Sequence, residues 1–70
     1  YFDCSFNQLT SLEGVPKEVR GNFNCRNNKL ISLEGAPKEV GKNFYCNNNN
    51  KKFTEEEVLA VCKVGGGVYV

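Results

Sequence analysis

The chain repeats itself every 21 residues, and that period limits its possible folds more than any other property. The first block, Tyr1 to Gly21, reads YFDCSFNQLTSLEGVPKEVRG. The second, Asn22 to Lys42, reads NFNCRNNKLISLEGAPKEVGK. A third opens with NFYCNNNN at Asn43 and leaves the pattern at Lys51. Phe2, Phe23 and Phe44 recur, as do Cys4, Cys25 and Cys46, and Asn7, Asn28 and Asn49. In the two complete blocks Leu9/Leu30, Ser11/Ser32, Leu12/Leu33, Gly14/Gly35, Pro16/Pro37 and Val19/Val40 recur as well. A unit this short has no core of its own, whereas stacked units bury one another's apolar side. The expected architecture is therefore an α/β repeat solenoid.

Each recurring position predicts a local role. Phe and Cys two residues apart share one face of a strand. Phe23 and Cys25 then point inward, while Asn22, Asn24 and Arg26 point outward. Asn28 stands at the following turn, where its amide satisfies backbone groups and forms a ladder with its equivalents. Leu30 and Leu33 return apolar side chains to the core. Gly35 gives freedom for a bend. Pro37 has no N–H to offer a sheet, which assigns it to an irregular outer side. Val40 closes the coil. The strands are expected to form one parallel sheet, since the period supplies the long crossover that parallel pairing needs.

The string FxCxxNxLxSLxGxPxxV resembles the leucine-rich repeat, whose core is LxxLxLxxNxL. Phe23, Cys25, Asn28 and Leu30 fall at its second, third, Asn and fourth positions. Leu33 and Pro37 resemble the return segment of the short-repeat bacterial type, and LTSLEGxPKEV is similar to repeats of bacterial and bacteriophage proteins. The likeness covers roughly residues 1–50. The chain departs from the family in having Arg20 and Gly41 where the first Leu belongs, with Val19 and Val40 taking that role. Phe and Cys also replace two of the Leu. The resemblance implies right-handed coils, one parallel β-sheet face that is concave and often binds partners, and an irregular convex side.

The third block fails where Lys51 replaces Leu9 and Leu30, and Thr54 replaces Leu12 and Leu33. Thr54 and Glu57 make a capping box, and Glu55–Glu57 fill a first helical turn with negative charge. That run is read as serving the helix rather than a cation. Val58, Val61 and Cys62 share one face, with Leu59 beside them. The pattern predicts a helix over about 55–63, ended by Gly65–Gly67 with Lys63 near its terminus, then a short strand at 68–70. The coils thus occupy 1–53 (1–21, 22–42 and a partial 43–53), and a C-terminal helical cap occupies 54–70. Tyr1 enters directly into a strand, so the N-terminal edge is expected to be open, covered by further coils or by another chain.

Several function classes fall away. The chain has no His, which removes the commonest general base and metal ligand. No nucleophile–base pair is visible, and Gly65–Gly67 follows a helix instead of preceding one, unlike a phosphate loop. The chain is expected not to be an enzyme and to hold no cofactor or metal. Its net charge is +1 with both signs interspersed, which does not suit nucleic acid. The longest apolar stretch, around Val58–Cys62, is too short to span a membrane. Three of the four cysteines follow the repeat rather than the close pairs of zinc sites. They are read as buried thiols, with Cys46–Cys62 the pair if any disulfide forms. Reduced thiols favour an intracellular or virion-associated setting.

What remains is the outward face, where residues differ between blocks. It takes in Tyr1, Asp3, Ser5 and Phe6, then Asn22, Asn24, Arg26 and Asn27, then Asn43, Tyr45, Asn47 and Asn48. The expected function is a non-catalytic interaction scaffold, with Asp3, Phe6, Asn24, Arg26, Tyr45 and Asn47 as the partner-binding set. Tyr and Arg are the residue types that most often dominate such surfaces. The expected partner is a protein, with a glycan as the other candidate. The alternative is a structural segment of a larger assembly, joined to neighbours through its open N-terminal edge or its cap.

Overall fold

The computed structural model describes residues 1–70. In chain order the elements are β1 (Phe2–Asp3), β2 (Glu18–Val19), β3 (Phe23–Asn24), β4 (Glu39–Val40), β5 (Phe44–Tyr45), α1 (Glu55–Val61), β6 (Lys63–Val64) and β7 (Val68–Tyr69). Strands in equivalent positions of successive blocks pair in parallel and in register. Phe2 lies beside Phe23, Phe23 beside Phe44, and Phe44 beside Val68. The resulting sheet has the order β1-β3-β5-β7.

The expectation of a single sheet with an irregular opposite side is corrected. A second parallel sheet, β2-β4-β6, runs through the segment assigned to that side. It aligns Val19, Val40 and Val64 in one row, and Glu18, Glu39 and Lys63 in the next. Pro37 does not prevent this pairing, because it precedes β4 and leaves the ladder to its successors. Lys38 N–H donates to the Lys17 carbonyl at 2.8 Å, and Gly41 N–H to that of Val19 at 2.7 Å. Strands of two residues carry no alternation to read, so this sheet is invisible in the hydropathy pattern.

The core lies between the two sheets. Phe23, Phe44, Cys25, Cys46, Leu12, Leu30, Leu33, Val19 and Val40 are buried there, as the repeat predicts. The Phe rings form a column, with centroids 5.8 Å apart for Phe2–Phe23 and 5.0 Å for Phe23–Phe44. Phe53, which belongs to no repeat position, is fully buried and fills the third layer where the Leu positions lapse.

Thr54 begins α1 through the expected capping box: its hydroxyl accepts from Glu57 N–H while Glu57 accepts from Thr54 N–H. The helix ends at Val61, two residues before the expected limit. Cys62 turns extended at φ −143°, which brings Lys63 N–H to the Lys38 carbonyl at 2.9 Å. Lys63 therefore sits in β6 and not at a helix terminus. The apolar face is narrower than expected as well. Val58 is buried, but Val61 remains 47% exposed and Leu59 is exposed too. Gly65–Gly67 do not stop the helix; they carry the chain from β6 to β7. Gly66 passes so close to Lys42 that a Cβ there would lie 2.9 Å from its carbonyl carbon.

All four cysteines are free thiols, and Cys46 and Cys62 are not joined. Cys4 and Cys25 each point Sγ at a carbonyl of the next layer, Asn24 at 3.5 Å and Tyr45 at 3.3 Å. No helix is long and apolar enough to cross a membrane.

Candidate interaction face

The turn after each strand of the larger sheet is built on asparagine. Asn28 is only 6% exposed. Its Nδ2 donates to the carbonyls of Cys25, Arg26 and, one layer away, Cys4, while its Oδ1 accepts from Leu9 N–H at 3.0 Å. Asn49 repeats the arrangement with Leu30 N–H and the Cys25 and Cys46 carbonyls. The expected ladder therefore runs through the backbone of adjacent layers, with no amide bonded to its equivalent. Such bonds close buried polar groups that would each cost about 1–3 kcal/mol if left open.

A second set of asparagines does similar work on the face expected to be free. Asn22 Oδ1 accepts from Asn43 N–H at 3.0 Å, and Asn43 Oδ1 accepts from Gly67 N–H at 2.8 Å. Asn43 also donates to the Tyr45 hydroxyl at 3.2 Å. Asp3 and Asn24 each fold back on their own strand. Asp3 Oδ1 accepts from both the N–H and the hydroxyl of Ser5, and Asn24 Oδ1 accepts from Arg26 N–H at 3.1 Å. These are the local turns that Asp and Asn side chains commonly make. The Ser5 bonds, with a smaller contribution from the Arg26 charge, hold the Asp3 carboxyl below its usual range.

The third layer has Tyr45 in this row, and its ring stacks on Tyr69 at 4.7 Å between centroids and 12° between planes. Tyr69 was not among the residues expected on this face. The signal was present: Gly67–Val68–Tyr69 repeats the form of Asn43–Phe44–Tyr45, one layer on.

Phe6 is placed differently from the expectation. It lies not on a strand but at the left-handed turn position, with φ 57°, shared by Asn27 and Asn48. Asparagine tolerates that conformation, while for Phe it costs about 1–2 kcal/mol. Its ring is 68% exposed, and the Arg26 guanidinium lies 5.4 Å from its centre. The Nε of Arg26 is shut away from water and has no hydrogen-bond partner.

Tyr1, Asp3, Asn22, Asn24, Arg26 and Tyr45 line an open recess of about 270 Å³ on this face. Four of the six expected residues, Asp3, Asn24, Arg26 and Tyr45, meet in it, and Phe6 borders it through Arg26. Asn47 does not join them. It belongs to a neighbouring recess with Asn48, Asn49, Phe53 and Val70. The arrangement offers hydrogen bonds, one cation and stacked aromatic area. No three Cys, Asp or Glu side chains converge on a common point as metal ligands do. In comparisons with known proteins, the chain matches no family model, no curated protein and no solved structure.

Proposed function

We propose that the chain is a leucine-rich-repeat-like solenoid segment that acts as a non-catalytic scaffold, binding a protein partner through the outer face of β1-β3-β5-β7. The observation that carries this reading is the recess in which the Arg26 guanidinium makes no hydrogen bond or ion pair, beside Tyr45, whose ring stacks on Tyr69. Buried guanidinium and aromatic groups supply most of the energy of typical protein interfaces. The side-chain oxygens of Asn22, Asn24 and Asn43 on the same face are spent on the scaffold, which leaves Arg26, Tyr45, Tyr69, Phe6 and Asp3, with the NH2 groups of Asn22 and Asn24, as the binding set.

Photo-crosslinking tests it. A crosslinking residue placed at Tyr69 is expected to trap a protein in producing cells, and the adduct is expected to vanish when Arg26 and Tyr45 are both replaced by Ala. Adducts formed only from Phe2, Cys4 and Leu9 of the first layer, or only from α1, overturn the reading.

The second reading is a structural segment joined through its first layer. Its support is that Phe2, Cys4 and Leu9 are only partly buried, and that β1 has a partner on one side alone. Strand edges of this kind recruit a further strand.

A further inference from the structure

The recess lined by Arg26 is chemically one-sided. The oxygens of Asn22 and Asn24 both accept from backbone N–H groups, Asn43 and Arg26 respectively. Only an oxygen can accept, so the orientation of both amides is fixed and each leaves its NH2 group unspent. The Tyr45 hydroxyl already accepts from Asn43, so its own proton remains to donate. Arg26 has donors only; its Nε is closed off from solvent, and its terminal nitrogens make no hydrogen bond or ion pair, the guanidinium meeting only the Phe6 ring. Against this set stands one acidic group. Asp3 has one oxygen engaged twice by Ser5 and the other free.

Donors in excess around one unpaired guanidinium call for a group that only accepts and carries a single negative charge. A planar carboxylate meets that description, since it can take two parallel bonds from the two terminal nitrogens of Arg26 and others from the amides. A dianion would face the Asp3 charge. We infer that the recess holds the carboxylate of an Asp or Glu side chain presented by the protein partner. This rests on the reading of the face as a protein-binding surface. In it Arg26 is the anchor, Asn22 and Asn24 orient the carboxylate, and Asp3 excludes more highly charged groups.

The test uses the full chain labelled with nitrogen-15 and two capped tripeptides, acetyl-Ala-Glu-Ala-amide and its Gln counterpart. The Glu peptide is expected to shift the Arg26 Nε–H and the Asn22 and Asn24 NH2 resonances saturably, with affinity about tenfold above that of the Gln peptide. Arg26→Gln is expected to remove that difference, and Arg26→Lys to restore only part of it. Asp3→Asn is expected to strengthen Glu binding. That variant keeps the fold, because Asn24 makes the same turn one layer away. Equal response to both peptides, insensitivity to Arg26→Gln, or tighter binding of inorganic phosphate than of the Glu peptide overturns the inference. If the Glu peptide shifts nothing while crosslinks from Tyr69 persist, the carboxylate assignment fails and the interaction face stands. If both fail, the face itself is wrong.

Discussion

The first and second blocks carry nearly the same residues at their core positions, yet they are not equally buried. Phe23, Cys25, Leu30 and Pro37 are buried, whereas Phe2, Cys4 and Leu9 are half-buried and Pro16 is exposed. Asn28 makes bonds to two layers; Asn7 bonds only to the Cys4 and Ser5 carbonyls of its own. The second block has a neighbour on each side, and the first has one. Burial here belongs to a residue's place in the stack as much as to its chemistry. The third block has the same Phe and Cys fully buried, since α1 and β7 lie against that side.

Paired substitutions sharpen this comparison. The largest gap is expected between Phe23→Ala and Phe2→Ala. Removing Phe23 is expected to cost about 3–5 kcal/mol in urea unfolding, and Phe2 about 1–2 kcal/mol. Gly35 and Gly14 come next. Both have positive φ, at 87° and 93°, but a Cβ on Gly35 would lie 2.6 Å from Glu13 N while one on Gly14 meets nothing within 4 Å. Gly14→Ala is expected to cost the left-handed penalty alone, about 1–2 kcal/mol. Gly35→Ala adds a clash with backbone and is expected to cost about 2–5 kcal/mol. For the turn asparagines, Asn28→Ala orphans Leu9 N–H and is expected to cost about 2–3 kcal/mol, against less than about 1 kcal/mol for Asn7→Ala. Equal costs within any of these pairs would break the comparison.

The smallest effect concerns reactivity. Burial raises all four thiols above ordinary cysteine, Cys25 and Cys46 the most, and Cys46 is pushed up to about 11. The thiolate is the reactive form, so half-buried Cys4 is expected to be alkylated first at pH 8 and Cys25 last, as read by mass spectrometry of intact protein. The same shift carries a sign for stability. A folded-state value above the usual 9.0 means the contribution of Cys46 is intact below pH 9 and is lost as pH rises towards about 11.

Much of this was legible in the residues. The period of 21 placed the paired strands, the inward Phe and Cys columns and the turn asparagines, and Thr54 with Glu57 located the start of α1. Those signals survive because they rest on repetition or on a capping motif. What was hidden depends on neighbours in other layers. Asn22 and Asn43 look like free surface until their oxygens meet backbone one block away. Glu39–Val40 is too short to show a strand period, and it pairs because Glu18–Val19 and Lys63–Val64 lie on either side of it. Cys62 leaves the helix because Val40 and Lys38 offer a place for a strand. Of the expected set, Asp3, Asn24, Arg26 and Tyr45, chosen from the outward strand positions, line one recess, and the turn carries Asn47 to another. Tyr69, stacked on Tyr45, was not in the set because its block lacks the Asn and Phe that mark the others.

Each block is completed by the block beside it, in register. Ring-to-ring nuclear Overhauser effects across the Phe column test it most directly. Contacts from Phe23 to both Phe2 and Phe44, with none between Phe2 and Phe44, are the expected result. A Phe23 ring that reports only one of these neighbours, or a direct Phe2–Phe44 contact, would contradict the stacked arrangement on which the fold and the proposed interaction face both depend.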